Sequence, residues 1–337
     1  MRYIHIIFLS FIFCQNNDFG GGPNMFYNNM FSAREVAMGG TGIANAQGYM
    51  SNLWNPANIV NSLDSNKAIF GFNSSMGNEN EVSKNWLTLG VIGKKIFEKQ
   101  QKEIYLGGTI FHESYNDIVE TIINTNNEIV PVSQFNLHQQ LFLFSLSGKF
   151  ETLSLGISGK MILTNHIYAK HSVGRYGVDI GFLLKYPNPV FPLFNKLDEI
   201  KYGFVLKSDF DKHNQQLLTG MGASFIKNMN NSSVSTLSFD VVTGDFHQPE
   251  VHVGADLLIL RGKKLLLEER FLPLLNFYLG GSSDKNAIKS ISGGLGFHLP
   301  LGLKLDFSYS KFQVPYLKLL NGQVRFTIQK NLHRKKT

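Results

Sequence analysis

Residues 301–310, LGLKLDFSYS, alternate strictly between large apolar side chains and small or polar ones. Leucine, phenylalanine and tyrosine occupy the odd positions, and glycine, lysine, aspartate and serine occupy the even ones. Successive side chains of a β-strand point to opposite faces, so this pattern predicts a strand with one apolar and one polar face. The same period of two recurs in residues 153–160, 175–184, 237–241, 251–256, 294–299 and 324–329.

About fourteen such segments lie between residues 67 and 330, most of them about 9–12 residues long, the length that a tilted strand needs to cross a bilayer. A soluble β-sandwich or propeller would show the same alternation. Two details favour a transmembrane barrel. The polar face is rich in glycine and serine, and aromatic residues recur near strand ends, as in interfacial girdles: Tyr105, Phe111, Tyr176, Tyr186, Tyr202 and Tyr309. We therefore predict an all-β fold, an antiparallel transmembrane β-barrel of about 14 strands with a short helix in an amino-terminal plug.

The composition agrees with a barrel. Only 17% of the 337 residues are charged, against roughly 25% in soluble proteins, whereas glycine (32) and phenylalanine (28) are abundant. The mean hydropathy is only −0.07, and past the first residues no apolar run reaches the length of a transmembrane helix. This excludes a polytopic helical membrane protein. A barrel agrees with the low mean hydropathy, because alternation hides apolar residues from a windowed average.

The amino terminus is typical of an exported protein. Residues 4–13, IHIIFLSFIF, follow Met1 and Arg2 and are too few to span a bilayer but suit a secretory signal. We predict a signal peptide over residues 1–19, with no A-x-A pattern to mark its cleavage site. Cys14 is either lost with this peptide or acylated as in a lipoprotein. The remaining alternative is a buried element at the start of a cytosolic domain.

The most specific local pattern is SAREVAMGGTGIA at residues 32–44, followed by LWNPANI at residues 53–59. Ser32 and Glu35 form an S-x-x-E capping box, which predicts a short helix, and Gly39-Gly40 is expected to end it. Asn55 precedes Pro56 and is therefore biased away from helical backbone, which predicts a sharp turn.

This pattern resembles the amino-terminal signature of the PorV/PorQ family of FadL-like outer-membrane proteins. Two later strand pairs are also similar to that family: GISGK at 156–160 with GVDIG at 177–181, and GGLGF at 293–297 with LDFSY at 305–309. The resemblance covers the start, middle and end of the chain in order. It departs at the carboxyl terminus, where Phe326 is followed by a basic tail, whereas many outer-membrane barrels end on an aromatic residue.

The resemblance implies a barrel whose amino-terminal segment folds into the lumen. We expect this plug at residues 20–62, the barrel at 63–330 and a basic periplasmic tail at 331–337. The same residues would serve either to close the lumen or to gate it. The plug or gating candidates are Ser32, Arg34, Glu35, Met38, Gly39, Gly40, Gly42, Trp54, Asn55 and Pro56.

Charged residues on the polar faces are expected in the lumen: Lys160, Arg175, Asp179, Asp240, Asp256 and Asp306. Lys185, Lys201 and Lys304 are expected in the lumen or at its rim. A basic lumen attracts anions, which include both fatty-acid carboxylates and acidic protein partners. The net charge of +7 does not indicate nucleic-acid binding, because the basic residues are spread along the chain and the only run of them, at the carboxyl end, lacks interleaved aromatic residues.

The motifs of common enzymes are absent from the sequence. Gly39-Gly40-Thr41-Gly42 is not a phosphate-binding loop, since no Lys-Ser/Thr follows, and no G-x-S-x-G or zinc-type histidine spacing occurs. We therefore predict no enzymatic activity, cofactor or metal, with a barrel lipase as the alternative. Two longer segments interrupt the alternation: 187–199, expected to be an extracellular loop, and 263–272.

Two functions follow from the resemblance for a protein of the bacterial outer membrane. The first, which the S-A-R and M-G-G form of the signature favours, is an interaction component of type IX-like protein secretion or surface attachment, with other secretion components or exported cargo as partners. The alternative is a FadL-like transporter of long-chain fatty acids or other hydrophobic small molecules through a plugged barrel. A continuous apolar pocket at Met38, Ile43, Leu53 and Trp54 would favour transport. Outer-membrane lipid surrounds the barrel in both cases.

Overall fold

The computed structural model describes residues 32–63, 66–79, 82–97, 102–123, 129–165, 173–189, 197–210, 215–229, 233–244, 247–259, 274–284, 288–313 and 320–333. The predicted signal peptide, Cys14 and segment 263–272 lie outside these residues. Fourteen antiparallel strands form a closed barrel in which each strand pairs with its neighbours in sequence and the first pairs with the last. This confirms the predicted all-β barrel. No helix among the described residues is long and apolar enough to cross a membrane.

The strands are long enough to cross a bilayer at a tilt. They are β1 (Asn66–Glu79), β2 (Val82–Phe97), β3 (Lys102–Ile123), β4 (Ile129–Phe150), β5 (Leu153–Asn165), β6 (Val173–Pro187), β7 (Glu199–Phe210), β8 (Gln215–Met229), β9 (Ser233–Gly244), β10 (His247–Ile259), β11 (Leu274–Asp284), β12 (Ile288–Leu299), β13 (Leu303–Gln313) and β14 (Leu320–His333).

The two faces of the wall differ as the alternation predicts. Leu279 is 65% exposed on the outside, whereas Tyr278, its neighbour on β11, is 4% exposed and faces the lumen. Phe144, Phe307 and Val324 are likewise exposed outward. The barrel therefore has an apolar outer surface and a mostly polar lumen, which explains its middling mean hydropathy.

The predicted aromatic girdle is correct in part. Tyr176 and Tyr309 are 62% and 53% exposed on the outer face. Tyr105 and Phe111 are fully buried, because the odd-numbered positions of β3 face inward in this region. The girdle prediction is therefore wrong for these two residues, which belong to the lumen.

The segment between β6 and β7 lies at the barrel end where β1 begins and β14 ends, here called the terminal end. Asn66, at the start of β1, pairs with His333 at the end of β14, and connections alternate between ends from there. Pro187 pairs with Glu199 at the terminal end. The two predictions, an extracellular loop at 187–199 and a periplasmic tail at 331–337, therefore exclude each other. Strand β14 also includes the first three residues of the predicted tail.

Residues 32–63, here called the inner segment, lie inside the barrel. They contain three short helices, α1 (Ala33–Ala37), α2 (Ser51–Trp54) and α3 (Asn58–Ser62), and nearly all of their residues are buried. Ser32 caps α1, its Oγ accepting a hydrogen bond from the N–H of Glu35 at 3.3 Å. The helix ends at Ala37, and Gly39 and Gly40 follow with positive φ angles of 69° and 86°. Both predicted ends of this helix are confirmed.

Candidate functional site

Inward-facing strand glycines let the backbone of the inner segment lie directly against the barrel wall. A Cβ added at Gly254 or Gly280 would collide with the backbone of Met38, and one at Gly203 would collide with that of Ile43. Glycine is the residue that permits such close approach. The glycines of the polar face therefore leave room for the inner segment, and these positions are here called sockets. Further sockets are Gly156 and Gly181 at Pro56, Gly71 and Gly90 at Tyr49, and Gly294 at Ala37.

Arg34 connects α1 to the wall through a buried ion pair. Its Nε and Nη2 lie 3.2 Å and 2.9 Å from Oδ2 of Asp256 on β10. Its Nη1 donates to Oε1 of Glu35 at 2.8 Å and to the carbonyl of Asn45 at 3.1 Å. Burial alone would lower the pKa of Arg34, but Asp256 and Glu35 together raise it above its ordinary value. The guanidinium therefore stays charged and uses its donors in several directions.

The ion pair continues into a polar network across β11, β12 and β13. Oδ1 of Asp256 accepts from Nδ2 of Asn276 at 2.8 Å, and Oδ1 of Asn276 lies 2.7 Å from Nε2 of His298. In the same region Tyr278 donates to Asp306 at 2.7 Å. Arg34, Glu35, Asp256, Asp306 and Lys304, whose Nζ lies 3.1 Å from Asp306, are here called the ion cluster.

Side chains of the same half of the wall hold the glycine-rich loop after α1. Oδ2 of Asp240 on β9 accepts from the N–H groups of Gly42 and Ile43 at 2.6 Å and 2.8 Å. His252 on β10 contacts the carbonyl of Gly39 through Nδ1 at 2.8 Å. Ser292 on β12 accepts from the N–H of Gly39 at 3.1 Å. The loop backbone is thus bound by three neighbouring regions of the barrel.

The Asn-Pro turn is bound to the opposite part of the wall. Nδ2 of Asn55 donates to the carbonyls of Ile43 and Phe182, both at 3.0 Å, and its Oδ1 accepts from the N–H of Ala57 at 3.0 Å. Ser147 donates to the carbonyl of Pro56 at 2.6 Å. The predicted non-helical backbone at Asn55 is confirmed by its φ of −154° and ψ of 118°.

The inner segment packs against β1–β5 through an apolar contact region, here called the apolar seam. Its members are buried apolar or aromatic side chains, and Asn52 adds uncharged hydrogen bonds with Ser145 and Thr109 in the same region. The inner segment contributes Tyr49, Met50, Leu53, Ile59, Val60 and Leu63, and the wall contributes Ile69, Ile92, Tyr105, Phe111, Leu141, Leu143 and Ile162. The inner segment thus has one polar, anchored side and one apolar side.

The predicted plug residues all lie in the inner segment, and all but one are buried. Trp54 is half-buried and its ring lies over Gly42, where a Cβ would collide with it. The buried ones are Ser32, Arg34, Glu35, Met38, Gly39, Gly40, Gly42, Asn55 and Pro56. The structure brings these residues together inside the barrel.

All six predicted lumen charges are buried and lie on inward positions: Lys160, Arg175, Asp179, Asp240, Asp256 and Asp306. Lys160 and Asp179 form an ion pair of 2.6 Å. Of the three lysines expected at the lumen or rim, Lys304 and Lys201 are buried, and Lys185 is half-buried, 3.1 Å from Glu199.

Sequence reasoning missed several wall residues that bind the inner segment, among them Ser147, Ser292, Lys207 and His252. Lys207 donates to the carbonyl of Leu53 at 2.5 Å, and His252 binds Gly39. Both occupy polar positions in alternating strands, a signal that would have added them to the set. Among the described residues, no group of three metal-ligating side chains occurs.

The outer surface of β1–β5, on the other face of the strands that form the apolar seam, carries a groove of about 830 Å³. It surrounds Gly108 and Gly159, where an added Cβ would meet no atom within 4 Å. Phe144, 62% exposed, lies between these glycines, as it pairs with Gly108 on β3 and with Gly159 on β5. Since Gly107 faces inward, β3 has no side chain on either face at this point.

Comparisons with known proteins match the fold. No family model matches the chain, and no curated protein matches its sequence. The Ralstonia pickettii toluene transporter TbuX is 13% identical over 91% of this chain and 100% of its own, with a TM-score of 0.57. The monoaromatic hydrocarbon channel CymD is 13% identical over 90% and 98%, with a TM-score of 0.56. The Pseudomonas putida toluene transporter TodX is 8% identical over 94% and 98%, with a TM-score of 0.53.

At these identities the likeness concerns the fold, which is FadL-like. It does not distinguish a PorV/PorQ subgroup within that fold. A closed barrel of fourteen strands with an apolar outer wall and outer-membrane channels as structural neighbours is a protein of the bacterial outer membrane.

Proposed function

We propose that the protein is a conduit for hydrophobic small molecules across the outer membrane, and that the inner segment is its plug. The observation that carries this proposal is the two-sided attachment of the inner segment. Ion pairs and hydrogen bonds hold it to β9–β13, whereas its contacts with the described residues of β1–β5 consist of apolar packing with a few uncharged hydrogen bonds at Asn52 and Pro56. A plug that moves without leaving the barrel needs one side that stays bound and one side whose contacts can break.

The apolar seam is the side that a hydrophobic molecule can enter. Apolar packing is non-directional, so a ligand can replace side-chain contacts such as those of Leu53 and Ile59 at small net cost. The anchored side keeps its charged and hydrogen-bonded partners meanwhile and acts as the hinge. Leaving these buried polar groups unpaired would cost far more than parting the seam.

The fold neighbours support a hydrophobic substrate, because they are described as toluene transporters and monoaromatic hydrocarbon channels. Aromatic hydrocarbons and long-chain fatty acids are the two substrate classes to compare. A sideways route into the bilayer at Gly107–Gly108, beneath the outer groove, would require the continuous pairing of β3 with β2 and β4 to open there. The lumen beyond the plug is the other route.

The role in type IX-like secretion has the motif resemblance as its only support, and we place it second. Residues 20–62 as the plug and residues 334–337 as a periplasmic tail belong to both proposals.

Uptake into proteoliposomes tests the proposal. In vesicles that contain lipopolysaccharide, purified protein should admit labelled toluene or oleate faster than protein-free vesicles of the same composition do, and should not admit glucose. Leu143→Asn places an amide in the seam and should slow uptake several-fold, because an apolar ligand would have to desolvate it. Absence of uptake for both substrates, together with co-purification of secretion components from membranes, would favour the secretion role instead.

A further inference from the structure

We propose that Glu35 acts as a proton-operated release for the plug. Its carboxyl group is protonated when the plug is closed, and ionisation of this group favours the open state. The inference rests on the proposed function, since it assigns a regulation to the same plug. It starts from the charges that the barrel encloses around α1.

The ion cluster holds three carboxylates and only two cations. Asp256 takes both Nε and Nη2 of Arg34 and one amide hydrogen of Asn276. Asp306 takes Lys304 and the hydroxyl of Tyr278. These two pairs balance the two cations. Glu35 is left with a share of Arg34 through Nη1 and with the N–H of Gln47 at 3.1 Å.

An ionised Glu35 would therefore add an excess negative charge to a closed, buried site. Its side chain is 1% exposed, so water does not solvate that charge. A single proton on the carboxyl removes the excess and leaves both of its hydrogen-bond donors in place. Protonation of Glu35 removes the charge from one ion pair, that with Nη1 of Arg34 at 2.8 Å, while Arg34 keeps both of its contacts with Asp256.

The groups around Glu35 come from every neighbouring element. Besides Arg34 on its own helix, they are Tyr49 before α2, Asp256 on β10, Tyr278 on β11, His298 on β12, and Lys304 and Asp306 on β13. The histidines nearby, side chains that ordinarily titrate near neutral pH, are His252, which binds Gly39, and His298. Nε2 of His298 lies against the amide of Asn276, not against a carboxylate.

Burial raises the pKa of Glu35 above its ordinary value of about 4.5, although Arg34 partly opposes the shift. A carboxyl whose pKa is raised in the closed state binds its proton more tightly when closed than when open. Stability of the closed plug is therefore complete below the ordinary pKa and is lost as the pH rises through the raised one. Opening should increase with pH.

Tryptophan fluorescence tests this without any transport measurement. The chain has two tryptophans, so Trp86→Phe leaves Trp54, which lies in the plug, as the only reporter. We expect acrylamide quenching of Trp54 in the detergent-solubilised Trp86→Phe barrel to rise as the pH increases from 4 to 9. Adding Glu35→Gln should make the profile flat at the low, closed level.

Two further variants make the result decisive. Glu199→Gln, at the terminal rim, and His298→Gln should both keep the rising profile. Glu35→Asp should keep a rise with a shifted midpoint, and it replaces Glu35→Gln if that barrel does not fold, as judged by heat-dependent migration in gels.

A rising profile in Glu35→Gln, a flat profile in His298→Gln or an unshifted midpoint in Glu35→Asp would overturn the assignment to Glu35. A Trp54 profile that depends on Glu35 in a barrel that admits neither toluene nor oleate would contradict the proposed transport and leave the proton-operated release standing.

Discussion

Arg34 and Asp256, 222 residues apart in sequence, form a buried ion pair in which two guanidinium nitrogens contact one carboxylate oxygen. This pair joins α1 to β10 and is the shortest connection between the signature S-A-R and the barrel wall. Its geometry explains why an arginine stands in a sequence of small residues. A lysine has no planar group that would serve Asp256, Glu35 and Asn45 together.

Breaking this ion pair should loosen the plug. Arg34→Ala leaves Asp256 buried without its cation, a loss of about 3–5 kcal/mol for typical buried pairs. We expect higher ion conductance in planar bilayers and stronger quenching of Trp54. The double variant with Asp256→Ala should be less damaging than the sum of the two single ones. The matched control is Lys185→Ala, whose half-buried pair with Glu199 should matter little; equal effects of the two alanine variants would contradict this role of Arg34.

Filling a glycine socket should displace the inner segment. A Cβ at Gly280 would collide with the backbone of Met38 and Gly39, so Gly280→Ala should lower the stability of the closed plug by about 1–3 kcal/mol. Limited proteolysis of the inner segment would reveal the displacement. Gly108→Ala faces open space on the outer wall and serves as the control. If both variants resist proteolysis like the wild type, the sockets are not needed.

Asp240 should control the loop that follows α1. Asp240→Ala removes the acceptor of two backbone N–H groups and leaves both buried, at about 1–3 kcal/mol for each. We expect greater proteolytic sensitivity near Gly42 and little change in the barrel itself. Ser238→Ala, on the same strand and the same inward face, should have a smaller effect. An unchanged cleavage pattern in Asp240→Ala would show that the loop is held by other contacts.

The helix cap offers a milder test of the same segment. Ser32→Ala removes the acceptor for the N–H of Glu35 and should cost about 0.5–2 kcal/mol, whereas Ser32→Thr should keep most of the cap. Chemical unfolding that follows Trp54 fluorescence in the Trp86→Phe background would measure the difference. Equal midpoints for the alanine and threonine variants would argue against a contribution of this cap.

The direction of most wall side chains was predictable because the parity of positions along a strand is a local property. It correctly placed Asp240, Asp256 and Asp306 in the lumen. The pairing of Arg34 with Asp256 was not predictable, since it depends on which strand passes beside α1 in the closed barrel.

Tyr105 and Phe111 were assigned to the wrong face for a related reason. Apolar residues normally face lipid in a barrel. On β3 these two face inward because the inner segment presents an apolar side there, with Tyr49 and Ile59. Patterns within single strands carry no information about such a partner.

The glycine sockets and polar contacts also extend across the one junction that no hairpin connects. Every other pair of neighbouring strands is consecutive in sequence, whereas β1 and β14 come from opposite ends of the chain. The inner segment touches both, with Tyr49 over Gly71 of β1 and the N–H of Ala33 donating to Thr327 of β14 at 3.1 Å. It thus bridges the closing junction from inside and favours the cylinder over an open sheet. We expect that removal of the inner segment would slow the last step of barrel assembly, the pairing of β1 with β14.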